Sequence, residues 1–138
     1  MRWSWILVGL AVVLVGIQLV PVARTNPAVV STVPASPEVE RILRRACFDC
    51  HSNETIWPPQ AYVAPFSWLV AHDVKEGRAE LNFSDWRPKQ AQTVAKKLAR
   101  EVEKGEMPPF LYVIAHPEAK LGKDDKALLS SWARGSQE

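Results

Sequence analysis

The chain has 138 residues and a formal net charge of +2 at pH 7. This length suits a single domain with a modest core, preceded by a short additional segment. Because the small positive charge is spread along the chain, composition argues against a nucleic-acid surface, and we predict no nucleic-acid partner.

The first predicted element is an apolar segment from Trp3 to Val22 that contains no ionised side chain. Its length matches the roughly 20 residues that a helix needs to cross a bilayer. We therefore predict that residues 1–23 form an N-terminal transmembrane helix in the cytoplasmic (inner) membrane, with Arg2 favouring a cytoplasmic amino terminus. A cleaved signal peptide is the alternative. Both interpretations place the rest of the chain in the periplasm or at the cell exterior.

Residues 24–36 form the second predicted segment, which contains Pro27 and Pro34 together with Thr, Asn and Ser residues. This composition is typical of an extended tether. The sequence Ser36-Pro37-Glu38 then predicts the start of a helix, with Ser36 as N-cap. Apolar residues recur at helical spacing after it: Val39, Ile42, Leu43 and Ala46. We therefore predict that residues 37–138 form the folded domain.

The first domain helix runs into Cys47-Phe48-Asp49-Cys50-His51, which has the C-x-x-C-H spacing of covalent haem attachment. Cys47 and Cys50 are predicted to form the thioethers of one haem c, and His51 to be the proximal ligand of its iron. The alternatives are weaker. A redox dithiol is expected near a βαβ pattern, a structural zinc site needs a second pair of ligands, and a disulfide here would close a very short loop.

The segment after the motif is rich in turn formers and contains Trp57-Pro58-Pro59, a rigid stretch. Trp57 and Tyr62 are expected either to pack beside the haem or to fill the core, and the later Trp86 is a further candidate for haem packing. A second helix is predicted to begin at Pro65 and to run to about Glu76, with Gly77 as the residue just past its end.

A third helix is predicted from Pro88 to Lys104, stopped by Gly105. Residues 110–115 are apolar and are expected to be irregular chain. A last helix is predicted from Lys123 to Arg134, with four residues facing inward: Ala127, Leu128, Ser131 and Trp132. The fold class is therefore all-α, a small cytochrome c-like domain of about four helices around one haem.

The second axial ligand is predicted to be Met107, which lies in the sequence Glu106-Met107-Pro108-Pro109. The two prolines hold the chain stiff where the thioether projects. A methionine ligand favours ferrous iron and raises the reduction potential. His72, His116 and an open or water-ligated iron stay as alternatives.

Four segments of the chain resemble the bacterial haem-binding domain family of single-haem c-type proteins. They are residues 47–55 (CFDCHSNET), 65–70 (PFSWLV), 80–86 (ELNFSDW) and 105–109 (GEMPP). The resemblance implies an exported, helical, cytochrome-like domain with covalent haem on Cys47 and Cys50 and with His51 as proximal ligand. It also carries the distal role over to Met107, through the matching M-P-P turn.

An iron with both axial positions filled by protein has no place for a substrate, which favours one-electron exchange over catalysis. We therefore predict a membrane-anchored, exported mono-haem c-type cytochrome that exchanges electrons with redox partner proteins at the membrane. The alternative is a haem-based sensor or ligand-binding module in which Met107 is displaceable. A peroxidase-like enzyme is disfavoured, because only His72 and His116 are available as distal acid and base groups.

Overall fold

A computed structural model describes residues 2–135, apart from the side chains of Arg2 and of residues 88–92. Predictions that involve residue 1, the side chain of Arg2 or residues 136–138 lie outside this description. The described residues form seven α-helices and three short 3₁₀ helices, with no strand. The all-α prediction is therefore confirmed.

The N-terminal helix α1 spans Arg2–Gly16 and continues into a 3₁₀ helix, Ile17–Leu19. It ends before Val22 because Val20 precedes Pro21, and the proline ring disfavours the helical conformation in the residue before it. Val20 is accordingly extended, with φ −73° and ψ 115°. Among residues 2–135, no helix combines the length and the apolar character needed to cross a membrane. The predicted transmembrane helix is therefore not found among these residues, and attachment to a membrane stays a prediction.

The segment predicted as a tether is extended, but it lies against the domain instead of running free. The amides of Val30 and Ser31 both donate to the Ser84 carbonyl, at 2.8 and 3.1 Å. Asn53 Nδ2 donates to the Ala28 carbonyl at 2.8 Å. These hydrogen bonds fix the path of the segment, whereas the domain boundaries at residues 23 and 36 stay predictions.

Helix α2 spans Pro37–Ala46 and begins as predicted, since Ser36 Oγ accepts a hydrogen bond from the Val39 amide at 3.4 Å. The four apolar residues that were expected to face inward are all buried. Cys47 interrupts the helix with φ −132°, and the one-turn helix α3, Phe48–His51, follows it. The motif therefore begins a new turn and does not simply end α2.

Helix α4 spans Phe66–Glu80, and Leu81 is its C-cap. The prediction that Gly77 lies past the helix end is wrong, since Gly77 is a buried residue inside α4. Helix α5 spans Pro88–Lys104 and ends at Gly105, which has the left-handed φ of 78° that glycine tolerates best. Both limits of α5 match the prediction.

Two features of the C-terminal part differ from the prediction. Residues Phe110–Ala115 form the short helix α6, where irregular chain was expected. Helix α7 spans Lys123–Gly135, but its buried residues are Leu129, Ser130 and Ala133. Of the four residues predicted to face inward, only Trp132 packs against the core. The other three are exposed, because the apolar residues of α7 are too few to define its buried side.

The core lies between α2, α5 and α7, where α5 packs along α7 and α3 packs against α4. Its most deeply buried large side chains include Leu43, Phe83 and Leu129. Phe48, the first residue of α3, belongs to the same core. The C-x-x-C-H motif is therefore held by the core on one side and by α4 on the other.

Candidate functional site

The two cysteines of the motif are joined by a single helical turn. The amides of Cys50 and His51 donate to the Cys47 carbonyl, at 3.2 and 2.9 Å. Both thiols are free and half-buried. The local backbone therefore places both cysteines and His51 on one turn.

The His51 ring is oriented by two backbone carbonyls of α4. Its Nδ1 atom lies 2.8 Å from the Gly77 oxygen and 3.1 Å from the Leu81 oxygen. Carbonyl oxygens only accept hydrogen bonds, so Nδ1 carries the hydrogen and Nε2 keeps its lone pair. Burial lowers the pKa of His51, which favours the neutral ring at pH 7. The imidazole is thus in the state that a metal ligand requires.

This contact between α3 and α4 depends on Gly77. A Cβ atom at this position would lie 2.5 Å from the Cys50 carbonyl oxygen, which is closer than van der Waals radii permit. Only a glycine lets the two helices approach closely enough for the His51 hydrogen bonds to form. Sequence reasoning missed this role, because a glycine near a helix end reads first as a stop signal.

The chemistry of the two thiols argues against a dithiol oxidoreductase. Burial raises the pKa of Cys47 to about 12, and the nearby Cys50 adds to the shift. Burial, with the Asp73 carboxylate, raises the pKa of Cys50 to about 11. An attacking cysteine needs a lowered pKa, since the thiolate is the nucleophile. Both pKa shifts are opposite in direction to the one that activates a thiol for disulfide exchange.

The residues that follow the motif form a rigid polar segment. Ser52 Oγ donates to the Phe48 carbonyl at 2.7 Å and accepts from the Glu54 amide at 2.9 Å. The Asn53 amide donates to Ser84 Oγ at 3.0 Å, and Asn82 Nδ2 donates to Asn53 Oδ1 at 2.9 Å. Ser52, Asn53 and Ser84 are buried polar residues whose hydrogen bonds hold the motif in register with the loop after α4.

Arg78 of α4 connects three parts of the chain. Its Nε donates to the Ser52 carbonyl at 2.7 Å, and Nη2 donates to Thr55 Oγ1 at 2.8 Å. On the other side, Nη1 donates to the Thr25 carbonyl and Nη2 to Asn26 Oδ1, at 2.8 and 2.9 Å. Arg78 therefore binds the N-terminal segment to the motif. Nothing in the sequence pattern identified it.

An aromatic stack lies behind the motif. Phe48 stacks on Phe83 with centroids 5.3 Å apart, and Phe83 stacks on Trp86 at 6.2 Å. Trp132 continues the stack at 6.0 Å from Trp86, and His51 meets Phe83 edge to face at 6.4 Å. The structure places Trp86 in the core. A haem contact of Trp86 stays a prediction.

The other two aromatic residues that were expected beside the haem differ in exposure. Trp57 is half-buried, and its Nε1 atom is buried with no hydrogen-bond partner in the described part of the chain. Tyr62 is 59% exposed and lies under the Arg24 guanidinium, 4.7 Å from ring centroid to Cζ. An orphaned indole N–H indicates an acceptor that the polypeptide does not provide.

The three candidates for the second axial position lie in different surroundings. Met107 is 38% exposed, and its amide donates to the Glu101 carbonyl at 3.3 Å, beside the end of α5. His72 is exposed on α4. His116 Nδ1 lies 3.3 Å from Glu118 Oε1. His116 thus has a carboxylate partner, whereas the Met107 thioether is only a weak hydrogen-bond acceptor.

These residues fit a covalently held haem. Two unpaired thiols and a neutral imidazole with a free Nε2 occupy one turn of chain, and the Trp57 N–H lacks an acceptor. A zinc site fits less well, because residues 2–135 contain no cluster of three or more His, Cys, Asp or Glu side chains.

Comparison with known proteins gives one match. The family model described as a haem-binding domain matches residues 12–135. No curated protein and no solved structure matches the chain.

Proposed function

The chain belongs to the haem-binding domain family, and on that premise we propose that it is a mono-haem c-type cytochrome that carries single electrons. Cys47 and Cys50 hold the haem through thioether bonds, His51 is the proximal ligand, and Met107 is the distal ligand. When bound, the haem supplies an iron centre that exchanges one electron at a time.

The orientation of His51 is the observation that carries this proposal. The Gly77 and Leu81 carbonyls accept from Nδ1, so the ring cannot rotate freely and Nε2 stays available. Hydrogen bonds of this kind fix the tautomer of a ligating histidine and increase its basicity. A redox dithiol or a structural disulfide would not require an imidazole held in this way beside two thiols.

We infer that Met107 completes the coordination because of its setting in the chain. It follows the left-handed Gly105 at the end of α5 and precedes Pro108 and Pro109, so its backbone is restrained on both sides. A protein that fills both axial positions reserves the iron for electron exchange and keeps out small ligands.

We also propose that the apolar N-terminal segment attaches the protein to the cytoplasmic membrane, with the haem domain on the periplasmic side. Exposed apolar side chains surround α1, from Trp3 at 81% to Leu14 at 48%. A helix that is apolar all round is usually buried in a membrane or in another protein. Gln18 holds the end of this segment on the domain, since Nε2 donates to the Ala64 carbonyl and Oε1 accepts from the Ala64 amide.

Absorption spectroscopy of the full-length holoprotein tests the ligand assignment. The ferric form should show the methionine-to-iron charge-transfer band of a six-coordinate low-spin centre, and Met107→Ala should abolish it. Leu128→Ala is a matched control, because Leu128 is as exposed as Met107, at 38%, and lies on α7. A band that survives in Met107→Ala, or that is missing from the wild type, would exclude Met107 as the ligand.

The exposure of Met107 favours a second candidate function, a haem-based sensor or ligand-binding module with a displaceable distal methionine. Carbon monoxide separates the two functions. Rapid binding to the ferrous wild type would support the sensor, whereas slow binding that becomes fast in Met107→Ala would support the electron carrier.

A further inference from the structure

Asp49, which lies between the two cysteines of the motif, receives hydrogen bonds from three groups. Tyr112 Oη donates to Oδ2 at 2.7 Å, and the Ile56 amide donates to Oδ1 at 3.0 Å. Thr55 Oγ1 donates to the Asp49 carbonyl at 2.7 Å. Two of these donors lie close to Asp49 in the sequence. Tyr112 belongs to α6, which follows Met107 and the two prolines in the chain.

Tyr112 carries the only polar side chain of α6, whose sequence is FLYVIA. Three apolar residues of this helix face outward, namely Phe110, Leu111 and Ile114, at 77%, 68% and 60% exposure. Tyr112 itself is half-buried, packs against the core and stacks on His116 with centroids 4.5 Å apart. The Tyr112 ring therefore faces the motif while much of α6 faces outward.

The chain between Met107 and Tyr112 leaves little freedom for independent movement. Pro108 and Pro109 have restricted φ angles, and the Val113 amide donates to the Pro109 carbonyl at 3.1 Å, so α6 begins directly after the prolines. A displacement of Tyr112 would thus be transmitted to Met107.

We propose that Tyr112 is a positioning residue that holds Met107 on the iron through its hydrogen bond to Asp49. The motif thereby holds both proposed ligands: His51 is part of it, and Met107 is connected to it through the Tyr112 side chain. This inference rests on the proposed ligation by Met107. Loss of a hydrogen bond to a carboxylate should change the equilibrium between bound and released methionine by about tenfold.

The test is a titration of the ferric, full-length holoprotein with imidazole, which competes with Met107 for the iron. Tyr112→Phe keeps the ring and its stacking on His116 but removes the donor, so the observed imidazole affinity should rise about tenfold. Without imidazole, the variant should still show the methionine band. The control is Leu128→Ala, on α7 and outside the site, which should bind imidazole as the wild type does.

Asp49→Ala supplies the second half of a double-mutant cycle. In that background Tyr112→Phe should cause no further change, because the acceptor is already missing. An unchanged imidazole affinity in Tyr112→Phe, or an equal effect of Tyr112→Phe in both backgrounds, would overturn the positioning role alone. A wrong assignment of Met107 as the iron ligand would be recognised separately, because the methionine-to-iron charge-transfer band would then be unchanged in Met107→Ala.

Discussion

Replacement of Gly77 by Ala tests the contact on which the site depends. The added methyl carbon would lie 2.5 Å from the Cys50 carbonyl oxygen, 3.0 Å from its carbonyl carbon and 3.1 Å from its Cβ. Because the optimal separation of such atoms is about 3.5 Å, α3 and α4 must move apart by roughly 1 Å. The nearest atoms are backbone and cannot rotate away.

The size of the expected stability loss follows from two opposing effects. Forcing a methyl group into a packed contact costs about 1–3 kcal/mol. Alanine has a higher helix propensity than glycine, which offsets up to about 1 kcal/mol of this cost in a helix interior. The free energy of unfolding should therefore fall by about 1–2 kcal/mol, which lowers the urea midpoint by roughly 0.5–1 M.

Two measurements on the holoprotein check this prediction. Urea unfolding gives the stability, and potentiometry reports on His51, whose hydrogen bonds to Gly77 and Leu81 would lengthen. A less basic imidazole stabilises ferric iron less, so the reduction potential should rise. Gly135→Ala is the control, since a Cβ there meets nothing within 4 Å. A wild-type midpoint and potential in Gly77→Ala would refute the close-contact role.

Two further predictions concern the motif and its support. Replacing both Cys47 and Cys50 by Ser should leave no pigment on the polypeptide in denaturing electrophoresis with haem staining; pigment that still migrates with the chain would exclude thioether attachment. Arg78→Ala removes four hydrogen bonds and should lower the free energy of unfolding by about 2–4 kcal/mol in urea unfolding. The exposed Lys75→Ala should change it by less than about 0.5 kcal/mol, and equal effects of both variants would contradict the connecting role of Arg78.

Local signals predicted α2 and α5 well. Ser36 and Gly105 act on the backbone within one turn of the helix ends. The apolar residues of α2, such as Ile42 and Leu43, recur at helical spacing and define its buried face. Such features depend on neighbours in the sequence, so they can be read without knowing the fold.

The errors occurred where a distant contact decides the structure. Gly77 continues α4 because it packs against Cys50, which no local pattern shows. Residues 110–115 have a strand-like composition, but they form α6, with Tyr112 anchored to Asp49. Tertiary contacts of this kind override weak local propensities.

The sequence by itself determined the all-α class and the family, because helix caps, apolar periodicity and short sequence motifs are short-range features. It also predicted Cys47, Cys50 and His51 as the haem site. Only the tertiary structure decided how the site is held. The carbonyls that orient His51, the glycine that admits them and the Tyr112 hydroxyl that reaches Asp49 lie far from the motif in the chain. These groups reach the motif only when the helices pack. Hydrogen bonds and steric contacts act over a few ångströms in space, however far apart the residues are in the sequence.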